Sequence, residues 1–173
     1  MRRLLIVLAT MAAAALAAPI ATADRPVVVS GGGTGTFAAD LDGDGDIDGS
    51  HFGLGVVFSG GSMRGHFECQ MAGNADFLGL RLMAVEGKVT DGWVNAAAGT
   101  AMLEGVATVN LATEGAVRGI PFRVLLTAGG PGTGQLQLTV IGAFARVPGD
   151  TDLTNGNYDL PVETVATGQI KIH

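Results

Sequence analysis

Arg64-Gly65-His66-Phe67-Glu68-Cys69-Gln70-Met71 alternates without a break: Arg64, His66, Glu68 and Gln70 are polar, while Gly65, Phe67, Cys69 and Met71 are not. Successive side chains of an extended strand point to opposite faces, whereas a helix would repeat its apolar positions every three or four residues. The octapeptide therefore reads as a half-buried β-strand with one wet face and one dry face. Gly60-Gly61 and Gly73-Asn74 bound it, and both pairs tolerate the positive φ of tight turns.

The same rhythm continues in both directions. Short β-branched or alternating runs predict strands over residues 26–38, 52–59, 63–72, 78–90, 100–110, 117–127, 135–146 and 162–172. Asp91-Gly92, Gly129-Gly130-Pro131-Gly132 and Asn155-Gly156-Asn157 supply further turns. Ile170 and Ile172 alternate with Gln169 and Lys171, but 136–144 is apolar on both faces, as in a central or doubly covered strand. Gly53, Gly55, Gly65, Gly105 and Gly142 fall inside these runs, where glycine serves the bulges and sharp coiling that close small barrels. The expected fold is all-β: an antiparallel β-barrel or β-sandwich of about eight strands.

Residues 1–23 read differently. Arg2-Arg3 precede an apolar stretch from Leu4 to Ala18, Pro19 breaks it, and Ala21-Thr22-Ala23 offers small residues to a signal peptidase. The stretch is short for a membrane span. A signal peptide at 1–23 and one secreted β domain at 24–173 are expected, with no internal repeat or linker.

The chain carries a formal net charge of −6, which becomes −8 once Arg2 and Arg3 leave with the signal. No Lys/Arg cluster offsets this, which argues against nucleic acid and anionic lipid as partners. Cys69 is the single cysteine, so no disulfide closes within the chain. Its alternation with Phe67 and Met71 predicts a buried thiol.

Catalytic patterns are sparse. Ser30, Ser50, Ser59 and Ser62 lack a Gly-x-Ser-x-Gly elbow, and the glycine runs at 31–35 and 130–134 lack the Lys-Ser/Thr of a phosphate loop. His66-Phe67-Glu68 puts an imidazole and a carboxylate on one strand face, without the Pro-Cys-x-x-Cys of zinc deaminases. With Trp93 and Tyr158 the only non-phenylalanine aromatics, few stacking platforms for sugars or bases are expected.

One stretch is chemically specific: Asp40-Leu41-Asp42-Gly43-Asp44-Gly45-Asp46-Ile47-Asp48. Counting Asp40 as position 1, carboxylates fall at 1, 3, 5 and 9, glycine at 6 and an aliphatic residue at 8. Alternate oxygens then converge on a hard cation while position 7 offers its carbonyl. The stretch resembles the loop of EF-hand and dockerin modules, except that His51 occupies position 12, where those loops place an acidic residue. A weak Ca²⁺ site built from Asp40, Asp42, Asp44, Asp46 and Asp48 is the expectation; a solvated acidic turn is the alternative.

The mature chain also resembles small secreted bacterial β-rich proteins, including those with post-COAP-type domains. The likeness rests on the early Gly-rich strand, Gly65-His66-Phe67, Gly119-Ile120-Pro121-Phe122 and the closing Gly168-Gln169-Ile170-Lys171-Ile172-His173. It implies secretion and a β-rich fold and carries no activity. The functional expectation is a secreted, calcium-stabilised, non-enzymatic binding module with a protein or small-molecule partner. Two rivals are a lipocalin-like carrier of a small apolar ligand and a small barrel isomerase or hydrolase. The second would use Arg64, His66 and Glu68 in its lumen.

Overall fold

The computed structural model describes residues 25–40, 49–72, 83–111, 115–145 and 150–173. The expected signal peptide and the Gly73-Asn74 turn lie outside them. The described residues contain no helix. Their strands are β1 (Val27–Thr36), β2 (Gly49–Ser59), β3 (Ser62–Ala72), β4 (Met83–Asn95), β5 (Thr100–Leu111), β6 (Gly115–Thr127), β7 (Gln135–Val140), β8 (Tyr158–Asp159) and β9 (Glu163–Ile172).

From β1 to β6 each strand pairs antiparallel with the next in sequence. β6 continues to β7, β7 to β9, and β9 returns to β1, so the sheet closes in a ring. The barrel alternative thus holds over two separate sheets, and closure leaves few unpaired edges. The last residue helps to close it: Val28 and His173 exchange backbone hydrogen bonds of 2.7 and 3.0 Å.

Local chemistry explains the hairpins. Gly60 and Gly61 both have positive φ, 57° and 74°, which is the requirement of the two-residue turn joining β2 to β3. Asp91-Gly92, expected as a turn, instead lies within β4 at a bulge, where the register against β5 shifts between Val89 and Asp91. The chain reverses later, at 96–99, where Ala98 N–H donates to the Asn95 side chain and Gly99 N–H to the Ala96 carbonyl. β7 is also shorter than 135–146. It stops at Val140, and Gly142 and Phe144 turn the chain with φ of 67° and 58°. β8 falls between the strands expected at 135–146 and 162–172, where the sequence predicts none.

Alternation decides what lies inside. Phe67, Cys69 and Met71 are buried, whereas Arg64, His66, Glu68 and Gln70 are exposed, as the opening octapeptide requires. Leu136, Leu138 and Val140 likewise face inward. The outer face of β7 is half covered by the 158–160 segment, since Gln137 Nε2 donates to the Leu160 carbonyl and Thr139 Oγ1 to Asp159. Across the interior, the Phe67 and Phe122 rings stack with centroids 5.8 Å apart. Gly87 makes room for that pair, because a Cβ there would fall inside contact distance of the Phe122 ring. Among the described residues no helix is long and apolar enough to cross a membrane.

Candidate functional site

The acidic stretch belongs to the connection between β1 and β2. Thr36, the last residue of β1, is the direct cross-strand partner of Gly49, the first of β2. Antiparallel partners lie about 5 Å apart at Cα, so the twelve-residue connection 37–48 begins and ends at one place. Phe37, at its start, is 4% exposed and packs into the core. Asp40 is half-buried. Asp42, Asp44, Asp46 and Asp48 lie outside the described residues.

Directly below the base sits a polar pair in the apolar interior. Ser50 Oγ donates a 2.6 Å hydrogen bond to Glu163 Oε2, and both residues are 1% exposed. Gly35 admits the carboxyl group, since a Cβ there would collide with Glu163 Oε2. Burial pushes the Glu163 carboxyl up to about 7 against the opposing effect of hydrogen bonds from Ser50. Cys69 lies against the same pair. Burial first, and the Glu163 charge second, push its thiol up to about 12, which removes it as a nucleophile at neutral pH. The cluster can hold or release one proton. The Ser50 hydroxyl donates to that carboxyl group, and both are shut away from solvent, so no substrate reaches the pair in this arrangement.

Three further aspartates, Asp150, Asp152 and Asp159, lie in a segment folded on itself. Asp150 Oδ1 accepts from the backbone N–H groups of Asp152 and Asp159. Asp152 accepts from the N–H and hydroxyl of Thr154 and from the Asn155 amide, and the two Thr154 bonds chiefly lower its carboxyl below the ordinary value. Asp159 binds Thr139 and Asn155 through its two oxygens. These carboxylates order a loop. Among the described residues, no group of three or more His, Cys, Asp or Glu side chains is arranged to hold a metal.

Arg64, His66 and Glu68 are corrected by the structure: all three lie on the outer face, not in a lumen. Their strand faces the core with Gly65, Phe67 and Cys69, so alternation itself forces them outward. His66 stands opposite Lys88, and Glu68 opposite Glu86. The sequence reading missed Glu163 and gave Trp93 no position. Glu163 is two residues before buried Val165, so the period-two pattern of β9 could have marked it as inward. Trp93 is 43% exposed on β4. Comparison of the chain with protein-family models, with curated proteins and with solved structures finds no match.

Proposed function

We propose that this chain is an exported, non-enzymatic binding module: a closed β-barrel, stabilised by Ca²⁺ in its β1–β2 connection, that presents its outer surface to a protein or small-molecule partner. The observation carrying this reading is the Thr36–Gly49 pairing, which closes the base of a twelve-residue connection holding five aspartates. Five carboxylates in nine residues repel one another unless a cation offsets them, and a closed base lowers the entropy lost on gathering them. Asp40, Asp42 and Asp44 ligate through side chains, Asp46 through its carbonyl, and Asp48 directly or through water. Without an acidic residue at position 12, affinity falls in the extracellular range, on the order of 10⁻⁴ to 10⁻³ M.

The Phe67–Phe122 stack supports a scaffold over a carrier, since both rings occupy the space an apolar ligand would need. The outward Arg64, His66 and Glu68 weaken the lumenal enzyme reading. At about ten times its dissociation constant, Ca²⁺ stabilises the fold by roughly 1.4 kcal/mol. Thermal melts test this: chelation lowers the Tm modestly, and Asp44→Ala removes the difference. Identical wild-type melts with and without millimolar calcium would count against the reading.

A further inference from the structure

A groove on the outer face, away from the acidic connection, has its own chemistry. Trp93, Met102, Leu125 and Gln137 form one cross-strand row over β4, β5, β6 and β7. Beside this row a depression of about 290 Å³ is lined by Trp93, Thr100, Leu125, Gln135, Gln137 and Val162, among others. Trp93, Leu125 and Val162 are 43%, 42% and 44% exposed, so this apolar surface is offered to solvent. Gln137 is fixed, because its Nε2 donates to the Leu160 carbonyl at 3.1 Å. A glutamine held through one N–H keeps its carbonyl oxygen and second N–H for a ligand. None of the lining side chains ionises. By contrast, the grooves over β3 and β4 are lined by His51, Glu68 and Glu86, and by His66, Glu68, Glu86 and Lys88.

We infer that this groove binds a neutral saccharide, one or two pyranose rings at a time. A pyranose presents a face of C–H groups, which an indole covers, and a rim of hydroxyls, which need paired donors and acceptors. Trp93 supplies the first, and Gln135, Gln137 and Thr100 supply the second without charge. The volume is at the small end of ligand pockets, about 300 Å³. A nucleobase would also stack on tryptophan, but its phosphates would meet a groove without a cation on a chain of net charge −6. Three exposed apolar side chains fall well short of the roughly 800 Å² per partner of a stable protein interface.

The inference names a ligand class for the binding module proposed above and rests on that reading, though not on calcium. Trp93 is the only tryptophan of the chain, so its emission reports on this groove alone. The purified chain is titrated with neutral hexaoses (cellohexaose, laminarihexaose and maltohexaose), with an acidic oligogalacturonide and oligothymidylate as comparators. A saturable emission change with at least one neutral hexaose, and none with either comparator, is expected. Calorimetry with that hexaose should show affinity falling by about tenfold or more in Trp93→Ala, and measurably in Gln137→Ala, with circular dichroism unchanged. Three results overturn the inference: silence with every neutral hexaose at millimolar concentrations, an equal response to a comparator, or an emission shift driven by protein concentration alone. Calcium is titrated into the same samples, so a lost saccharide response beside an intact calcium response removes this inference and leaves the calcium-stabilised module standing.

Discussion

Phe67 on β3 and Phe122 on β6 stack across the interior of the closed sheet, with centroids 5.8 Å apart and planes 20° from parallel. Both are 1% exposed. Three strand steps separate β3 from β6 around the ring, so the pair ties nearly opposite walls together.

Phe122→Ala should cost about 3–5 kcal/mol, the range for removing a buried aromatic. Gly87→Ala should cost about 1–3 kcal/mol by overpacking, because the new methyl meets the Phe122 ring. Combining Gly87→Ala with Phe122→Leu should recover part of the second loss. Chemical denaturation of the wild type, Gly87→Ala, Phe122→Leu and the double variant measures the coupling; strict additivity would show that the glycine does not serve the ring.

Glu163 makes stability fall as pH rises. Its folded value of about 7 exceeds the ordinary 4.5, so the folded state holds the proton more tightly than the unfolded chain. The resulting stability is present in full below the ordinary value and is lost as pH climbs through about 7. The difference amounts to about 3 kcal/mol at most. Glu163→Gln keeps an acceptor for Ser50 and should flatten the profile between pH 5 and pH 8. An unchanged slope in that variant would assign the dependence to other groups.

Cys69 should not react in the folded protein. It is 2% exposed and its thiol is pushed up to about 12. Ellman's reagent at pH 8 should label it only after denaturation, and rapid labelling of the native chain would contradict the inward face assigned to β3.

Much of the fold could be read from period-two alternation, which fixes both strand and face. β3 is the clearest instance, since one phase carries every charge and the other carries Phe67, Cys69 and Met71. The failures have local causes. Asp91-Gly92 has turn chemistry, but the long β4–β5 pairing overrides it and keeps both residues in register with β5, directly after a bulge at Thr90. β8 pairs through two residues only, too few for any period to show. Ring closure depends on β7 meeting β9 through Gln135–Thr164 and Leu136–Glu163, contacts between distant segments that no local pattern encodes. The buried Ser50–Glu163 pair is non-local for the same reason: its residues are 113 positions apart. The aspartate spacing suggests a calcium loop from sequence alone, because such ligands come from nearly consecutive residues, and four of the five aspartates lie outside the described residues.

Calcium binding by the β1–β2 connection is the claim on which the proposed module depends, and isothermal titration calorimetry on the purified chain tests it most directly. One Ca²⁺ per chain is expected, with a dissociation constant on the order of 10⁻⁴ to 10⁻³ M. Asp44→Ala should abolish the heat, and Mg²⁺ should bind more weakly, since it demands a tighter octahedral shell and gives up water reluctantly. No measurable heat from the wild-type chain at millimolar calcium would contradict the account and reduce residues 40–48 to an acidic turn.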